Sequence, residues 1–302
     1  MSILLDMSEV MYSEKSISRE DYGDWQTGYE FAKSVCLYLR SSGVNPDVIV
    51  EPTCGVGNFI AAAVDVFDRV EKVYGVEIFQ GYIHQTEQKL REYQDIGRID
   101  GYKLYNTNVF TFDFDEIVNE NRNKNVLILG NPPWVTNSGL GKTNGTNLPW
   151  KSNINKTRGI EAITGKGNFD IAESICNLVI DAFAHHGNTH VALLVKNSVV
   201  KNILYRQHFH PRYIQDIRQL SFDAKKEFKV SVAASLFECH IGEDYQEQCS
   251  SYDFYTKRFS HIFGWVNEAF VSNVQDYGQT CFLDGQSQLT WRSGIKHDCS
   301  KV

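Results

Sequence analysis

A tetrapeptide directly after an apolar stretch carries the clearest chemical signal in the sequence. Asn131, Pro132, Pro133 and Trp134 follow VLILG (126–130), which is typical of a buried strand. The prolines fix the backbone and remove two N–H donors, so carbonyl oxygens remain available beside the side-chain carbonyl of Asn131. Two acceptors next to an aromatic face suit an exocyclic amine on a planar base, on which Trp134 would stack. A rigid turn with a packed tryptophan is the alternative interpretation.

The amine chemistry explains why acceptors matter more than a strong base. The lone pair of an amino group on a planar base is delocalised into the ring, which makes the nitrogen a poor nucleophile. Hydrogen bonds from both N–H groups to Asn131 and the Pro132 carbonyl would favour a tetrahedral nitrogen that can attack a methyl group. The proton becomes acidic once the nitrogen is methylated, so the sequence predicts no strong general base.

A second pattern, EPTCGVGNF (51–59), lies between an apolar run and a helical segment. Gly55 and Gly57 allow a sharp turn and the close approach of a ligand, although a turn or capping role is the alternative. Unlike GxGxxG, the pattern has an acidic residue at the strand end, and this carboxylate favours a cation over a pyrophosphate. Glu77, at the end of VYGVEI (73–78), could accept hydrogen bonds from both ribose hydroxyls. Together they predict a nucleotide-like cofactor with positive charge, such as S-adenosylmethionine.

The elements that must position these residues alternate along the chain at the pace of βαβ units. Helical patterns occupy 27–43, 57–67 and 84–93, and the strands are predicted at 48–50, 73–78, 102–106, 126–130, 191–195 and near 230–238. This alternation predicts an α/β fold with a mostly parallel twisted sheet, helices on both faces and an antiparallel hairpin at one edge. Residues 135–168 are rich in Gly, Asn, Thr and Lys and are predicted to form one long functional loop.

Composition and charge narrow the class of protein. The chain has 302 residues, 42% apolar and 22% charged, and lacks the roughly 18 consecutive apolar residues of a membrane span. Its acidic N-terminus is unlike a signal peptide, and its seven cysteines are scattered without a CxxC pair, which favours a reducing cytosol. The net charge is −7, yet residues 134–230 carry 13 basic and 7 acidic side chains. That basic third predicts either a phosphate-facing surface or an ordinary mixed one.

The motifs, in this order, resemble the gamma group of amino-methylating DNA methyltransferases, the bacterial N6-adenine enzymes of restriction–modification and related defence systems. The resemblance covers roughly residues 20–240. It implies a Rossmann-like class I methyltransferase fold, S-adenosyl-L-methionine as cofactor, and double-stranded DNA as substrate, with the adenine rotated out of the duplex before methylation. It also implies the cytosol of a bacterium or archaeon, and neither metal nor membrane.

The resemblance implies roles for individual residues. The expected catalytic residues are Asn131, Pro132, Pro133, Trp134 and Phe228, with Phe222 as the substitute for Phe228. The expected cofactor contacts are Trp25, Gln26, Thr27, Glu51, Pro52, Thr53, Gly55, Gly57, Asn58, Phe59, Glu77, Ile78, Asn108, Val109 and Asn131. Within this set Thr27 would contact the methionine carboxylate, and Glu51 the methionine amino group. Asn108 stands where the family usually has an aspartate that accepts a hydrogen bond from the amino group of the cofactor's adenine.

Phosphate contacts are expected from the basic third of the chain. The candidates are Lys142, Lys151, Lys156, Arg158, Lys201 and Arg206. The loop 135–168 is expected to become ordered when DNA binds. Three parts are predicted: an N-terminal extension (1–20), the catalytic domain (21–240) and a C-terminal extension (241–302). The last resembles the junction to a target-recognition domain, which would be missing here or supplied by a separate subunit. A restriction subunit is a further candidate partner.

Other functions are weaker interpretations of the same residues. The tetrapeptide could serve a methyltransferase that acts on RNA or on a protein glutamine, and a non-catalytic subunit could share the fold. GLGKT (139–143) lacks the first glycine of a phosphate-binding P-loop. No proline precedes a cysteine, which disfavours cytosine-C5 chemistry, and the nine histidines lack metal-ligand spacing.

Overall fold

The central strands are almost continuous runs of buried side chains, the pattern of strands covered on both faces. In the computed structural model, which describes residues 26–135 and 170–285, they are β1 (Val48–Glu51), β2 (Lys72–Glu77) and β4 (Val126–Gly130). Every residue of β1 and β4 is buried, and only the first residue of β2 is exposed. The remaining strands are β3 (Gly101–Asn106), β5 (Thr189–Lys196), β6 (Ile214–Asp223), β7 (Ala233–Ile241), β8 (Gln248–Asp253), β9 (Phe259–Val266) and β10 (Ala269–Val271).

The strands form one sheet in the order β10-β9-β8-β6-β7-β5-β4-β1-β2-β3. Strands β1 to β5 are parallel, and β7 inserts antiparallel between β5 and β6. This is the Rossmann-like class I methyltransferase fold that the sequence predicted. The antiparallel pair β6–β7 is not the end of the sheet, because β8 pairs parallel with β6 and β9 and β10 follow it.

Helices cover both faces of the sheet and divide the core into two clusters. The helices are α1 (Tyr29–Ser41), α2 (Asn58–Val66), α3 (Gln80–Asp95), α4 (Asp115–Glu120), α5 (Ile171–Ala182), α6 (Asn197–Phe209), α7 (Ala224–Phe228) and α8 (Val274–Thr280), with 3₁₀ turns at Val109–Thr111 and Cys281–Leu283. Helices α1, α2 and α3 pack against one face, and α4, α5 and α6 against the other. The result is a three-layer arrangement whose sheet ends are left open for ligands.

The strands predicted from apolar runs are confirmed, whereas α4 to α8, β6 and β8 to β10 had not been predicted. The expected domain boundary at residue 240 falls at the end of β7, and the three strands after it continue the same sheet. The N-terminal extension (1–20) and nearly all of the predicted loop 135–168 lie outside the described residues. In the part of the chain that the structure describes, no helix is long and apolar enough to cross a membrane.

Candidate functional site

A cleft opens at the carboxyl ends of β1, β2 and β4, where the strand order reverses about β1. Nucleotide-like ligands bind at such switch points in open α/β sheets. The predicted cofactor residues that line it are Gln26, Thr27, Glu51, Pro52, Thr53, Gly55, Asn58, Phe59, Glu77, Ile78, Asn108, Val109 and Asn131. Gly57 does not line the cleft, and Trp25 lies outside the described residues.

The sequence missed several lining residues. They are Cys54, Val76, Phe79, Tyr82, Thr107, Phe110, Ile171 and Ile175. Phe79 and Tyr82 form an aromatic lip, with ring centroids 5.7 Å apart. Their position directly after β2 was a usable signal. The two isoleucines belong to α5, which no motif had connected with the site.

The glycine loop after β1 depends on left-handed backbone at two positions. Gly55 has φ +50° and Gly57 has φ +74°, a region that side-chain-bearing residues rarely adopt. A Cβ at Gly57 would also lie 2.7 Å from Cγ2 of Thr86, a residue of α3. The glycines are therefore required for the turn and for the close packing of the loop against α3.

Helix α3 holds this loop by hydrogen bonds from two side chains one turn apart. The hydroxyl of Thr86, which is fully buried, donates to the Gly55 carbonyl at 3.0 Å. The ammonium of Lys89 donates to the Val56 carbonyl at 2.6 Å and to Oδ1 of Asn58 at 2.8 Å. These contacts hold the loop from the side away from the cleft, and no pattern in the sequence had predicted them.

The residues that precede α1 lie on the same loop. Oε1 of Gln26 accepts a hydrogen bond from the Val56 N–H at 3.3 Å, and the Asn58 amide donates to the Thr27 carbonyl at 2.8 Å. Thr27 is buried, and its hydroxyl has no hydrogen-bond partner within residues 26–135 and 170–285. Gln26 and Thr27, two of the expected cofactor contacts, therefore lie together at the cleft.

Glu51 is a buried acid without full compensation. It is 3% exposed, and its Oε2 has no hydrogen-bond partner among the described residues. Burial raises the pKa of Glu51 well above its ordinary value, and the nearby charge of Glu77 raises it further. A hydrogen bond from the Ile60 backbone and the charge of Lys89 act in the opposite direction. Such a carboxyl group in a cleft fits a cationic ligand group, which would stabilise its charged form.

Gly130 brings the end of β4 against this acid. Its φ is +148°, and a Cβ at this position would lie 3.1 Å from Cγ and Oε1 of Glu51. The residue after it is Asn131. The close approach of the backbone to Glu51 therefore places Asn131, a predicted catalytic residue, beside the carboxyl group that is expected to bind a cation.

Glu77 is oriented by backbone N–H groups. Its Oε2 accepts from Gly55 at 2.9 Å, and its Oε1 accepts from Phe79 at 2.9 Å. The side chain is buried and lines the cleft. Because each carboxylate oxygen can accept more than one hydrogen bond, the group remains suited to ligand hydroxyls.

Asn108 has a structural task that bears on its expected role. Its Oδ1 accepts from the Phe110 N–H at 3.0 Å and so caps the 3₁₀ turn Val109–Thr111. An adenine amino group would have to use the second lone pair of the same oxygen.

The tetrapeptide meets the cleft through Asn131 and Pro133, whereas Pro132 is buried and Trp134 lies outside the lining. No residue that the structure describes donates a hydrogen bond to the Pro132 carbonyl oxygen. The Trp134 indole N–H donates to the Leu194 carbonyl of β5 at 3.0 Å, which fixes the ring.

The second predicted aromatic lies next to Trp134 but inside the core. The rings of Phe228 and Trp134 are 5.2 Å apart and steeply inclined, and those of Phe222 and Trp134 are 6.4 Å apart. Phe228 is 4% exposed and Phe222 is 7% exposed, and neither lines the cleft. Phe31 of α1 completes this aromatic cluster. Here both phenylalanines support Trp134 from behind, so a base would stack on either only after a rearrangement.

Two of the predicted phosphate contacts can be located. Lys201 is exposed, with its ammonium 5.5 Å from the ring centre of Tyr205 and 5.6 Å from that of Phe270. The guanidinium of Arg206 is engaged in an ion pair with Asp181 at 2.7 Å, so a phosphate would have to displace that carboxylate. Lys142, Lys151, Lys156 and Arg158 lie outside the described residues. In the described ranges no group of three His, Cys, Asp or Glu side chains could hold a metal ion.

No family model matches the chain, whereas a curated protein is similar to most of it. The type II methyltransferase M.NspV from Nostoc sp. is 38% identical over 287 residues, which cover 93% of this chain and 58% of that protein. This similarity confirms the resemblance to a methyltransferase that the motifs indicated. The chain spans little more than half the length of that relative.

Solved structures resemble the chain more distantly. The M protein of the type I restriction enzyme EcoKI has a TM-score of 0.48 at 13% identity, over 76% of this chain and 48% of that one. The type I restriction–modification methyltransferase subunit from Streptococcus thermophilus has a TM-score of 0.44 at 13% identity, over 85% of this chain and 52% of that one. The fold assignment therefore rests on the strand order of this sheet.

Proposed function

We propose, from the similarity to a type II methyltransferase and from the cleft, that this chain is the methyl-transferring part of a DNA methyltransferase that uses S-adenosylmethionine and acts on the N6 amino group of adenine. The observation that carries the proposal is the meeting of two buried acids, Glu51 and Glu77, with Asn131 in one cleft at the carboxyl ends of neighbouring strands. One side of that cleft suits a cationic nucleoside, and the other suits an amine.

The residues present fit the cofactor. Glu51 has a buried oxygen without a partner among the described residues and a raised pKa, as expected for a carboxyl group that lacks its cation. Glu51 would hold the methionine amino group, and Glu77 would accept hydrogen bonds from the ribose hydroxyls. Ile78, which is 36% exposed, and Phe79 would flank the adenine ring. When bound, the cofactor supplies a methyl group on a positively charged sulfur.

The tetrapeptide would prepare the substrate nitrogen. Oδ1 of Asn131 and the Pro132 carbonyl would each accept a hydrogen bond from the adenine amino group. This localises the lone pair on nitrogen and directs it towards the cleft. Trp134, held by its bond to Leu194, would present an aromatic surface to the base. The proton lost after methylation needs no strong base. Among the described residues, Glu51 and Glu77 are the acids that line the cleft, and no histidine lines it.

The choice of DNA rests on two observations. The curated relative is a type II methyltransferase, and residues 134–230 carry a net positive charge within an acidic chain. Reaching the N6 group inside a duplex requires rotation of the adenine into the pocket beside Trp134. Because the relative is much longer than this chain, we assign sequence recognition to a further segment or to a partner subunit, in a restriction–modification or phage-defence system.

Product analysis tests the proposal directly. The protein would be incubated separately with methyl-labelled S-adenosylmethionine and unmethylated bacterial DNA, tRNA or release factor, and the products digested and separated by mass spectrometry. We expect label in DNA as N6-methyladenine.

Each other outcome has a defined meaning. N4-methylcytosine would overturn the base assignment, and label in tRNA or in a glutamine would overturn the substrate. Cofactor binding without transfer to any of the three would favour a non-catalytic subunit. Absence of cofactor binding would overturn the site itself.

A further inference from the structure

Two turns at the carboxyl edge of the sheet carry basic side chains that the cleft does not use. The first turn, residues 224–232, contains α7 and joins β6 to β7; the second, residues 254–258, joins β8 to β9. We refer to them together as the basic turns. Their exposed basic residues are Lys225, Lys226, Lys229, Lys257 and Arg258.

The aromatic cluster fixes the basic turns relative to the tetrapeptide. Phe228, the residue before Lys229, has its ring 5.2 Å from that of Trp134. Phe254, the first residue of the second turn, lies 5.5 Å from Phe31, whose ring is 6.0 Å from that of Phe228. Both turns are therefore anchored to the same group of rings that supports Trp134.

The acidic residues in and beside these turns are engaged locally. Glu227, inside the first turn, accepts from the Tyr255 hydroxyl at 2.8 Å, and Asp223 and Asp253 are the last residues of β6 and β8. Oδ1 of Asp223 accepts from the backbone N–H groups of Lys225 and Lys226, at 2.9 and 3.1 Å. Oδ1 of Asp253 accepts from the N–H of Thr256 at 2.7 Å. The carboxylates of Asp223 and Asp253 thus cap backbone N–H groups, and the charge of Asp253 also acts on Lys257.

Three of the five cations are not engaged in ion pairs with the described residues. Lys225, Lys229 and Arg258 form no ion pair with any residue of 26–135 or 170–285, whereas Lys226 lies 3.4 Å from Glu227. The ammonium of Lys257 lies over the Phe254 ring at 3.7 Å. Exposed cations without local partners are available to a polyanion.

Exposed aromatic rings lie among these cations. Tyr255 is 44% exposed, with the Lys226 ammonium 4.6 Å from its ring centre, and Phe259 is 48% exposed. Basic groups interleaved with exposed rings are typical of surfaces that bind nucleic acid.

We infer that the basic turns bind the phosphate backbone of the DNA duplex beside the adenine that Trp134 would stack on. This inference rests on the proposed function and adds a surface that fixes the position of the duplex without reading its sequence. None of these five residues was among the phosphate contacts expected from the sequence.

The test compares two triple variants of the 302-residue protein with the same loss of charge. The first is Lys225→Gln, Lys229→Asn and Arg258→Gln; asparagine is chosen because residue 229 has φ +63°, a region that asparagine tolerates. The control is Lys72→Gln, Arg91→Gln and Arg122→Gln, three exposed residues outside the carboxyl edge. Binding of a fluorescent duplex is measured by anisotropy from low to moderate salt, and binding of S-adenosylhomocysteine by calorimetry.

We expect the turn variant to bind duplex at least tenfold more weakly than the control at low salt. Its slope of log affinity against log salt should become shallower by about 2 to 3, since each phosphate contact contributes roughly 0.9. Cofactor affinity should stay at the wild-type value in both variants. A variant with Lys225→Arg and Lys229→Arg should keep wild-type binding, because it keeps the charges.

Equal duplex binding by the turn and control variants would overturn the inference. So would an equal rate of DNA methylation by the two at limiting DNA, while the proposed function would stand. If the wild-type protein binds the cofactor but methylates no DNA, the proposed function fails and the inference falls with it. Preference of the basic turns for an acidic protein over duplex, in competition, would also contradict the inference.

Discussion

Each edge of the sheet contains a buried glutamate, and the two glutamates differ in how fully the protein supplies their hydrogen-bond partners. At the carboxyl edge Glu51 has an oxygen without a partner among the described residues. At the amino edge Glu238, which is fully buried, accepts from the Tyr38 hydroxyl at 2.5 Å and contacts Nε2 of His190 at 3.1 Å. A second cavity lies at this amino edge, lined by Glu238, His190, His240 and Arg218 among others.

Burial of charge therefore does not by itself identify a ligand site. Glu238 lies opposite Arg218 in the register of β6 and β7, so its charge is compensated within the fold. Glu51 lies near Glu77 and the backbone of Gly130, and the Ile60 N–H and the charge of Lys89 offset its burial only in part. The comparison predicts that changes at the carboxyl edge affect activity and changes at the amino edge affect stability.

The largest expected effect is on catalysis at the carboxyl edge. Asn131→Ala should lower kcat for methyl transfer by roughly 10²- to 10³-fold, the usual loss when one preorganised hydrogen-bonding group is removed from a reacting centre. Single-turnover transfer to DNA measures this. The matched control is Asn188→Ala, an exposed asparagine at the amino edge, and full activity of the Asn131 variant would remove the catalytic role.

The next effect is on stability at the amino edge. Glu238→Ala leaves Tyr38 and His190 without their shared acceptor and should lower the free energy of unfolding by about 3 kcal/mol, as in other broken buried pairs. Urea unfolding measures it, and cofactor affinity serves as the second readout. A variant with normal stability but weakened cofactor binding would reverse the comparison.

The equivalent change at the carboxyl edge should weaken cofactor binding and spare stability. Glu51→Gln removes a charge-assisted hydrogen bond and should raise the Kd for the cofactor by about 10- to 100-fold. The Tm should not fall. The folded-state pKa of Glu51 is raised, so the stability it contributes below the unfolded pKa is lost as pH rises through the folded value, and glutamine avoids that loss. Calorimetry tests the expected rise in Kd, and thermal unfolding at pH 8 tests the unchanged Tm.

The same raised pKa predicts the pH dependence of binding. At a pH below the pKa of Glu51 in the ligand-free protein, the cofactor must displace a proton. Its affinity should therefore fall about tenfold for each further unit by which the pH is lowered. Calorimetry in buffers of different ionisation enthalpy should show proton release on binding. Glu51→Gln is the control, and equal proton release by that variant would assign the effect to another group.

The smallest effect concerns the clamp behind the glycine loop. Lys89→Met removes the bonds to Val56 and Asn58 and should raise KM for the cofactor by about 3- to 10-fold, with little change in kcat. Lys89 would act by positioning, so a fall in kcat alone would contradict this role. Arg91→Met, on the same helix but exposed, is the control.

Strands that are buried on both faces could be predicted because their sequence alone signals burial. VIVE, VYGVE and VLILG are nearly continuous apolar runs. The first two end in a glutamate and the third is followed by Asn131, which indicated where the site lies. The strand QCSSYD (β8) has no such pattern, because its place in the sheet depends on pairing with β6. Helix α5 carried a usable signal, since Ile171, Ile175 and Val179 are spaced by four after the N-cap Asp170.

The candidate site was predictable where chemistry is local and not where it is shared across the chain. The Glu51 and Glu77 carboxylates could be inferred from their positions at strand ends. The hydrogen bond from Lys89 to a loop more than thirty residues earlier could not be inferred, because it depends on how α3 packs against that loop. The burial of Phe228 was missed for the same reason, since Phe31 and Phe254 surround it only in the folded protein.

The contact between Gly130 and Glu51 has a thermodynamic consequence. Gly130 lies against Glu51. The next residue in the chain is Asn131, whose side chain would hold the substrate amine. We therefore expect a ligand that shifts the Glu51 side chain to affect the position of Asn131. Any factor by which the first ligand tightens or loosens the second must, by linkage, apply equally in the reverse direction. Measuring either affinity in the presence and absence of the other ligand gives the size of this coupling.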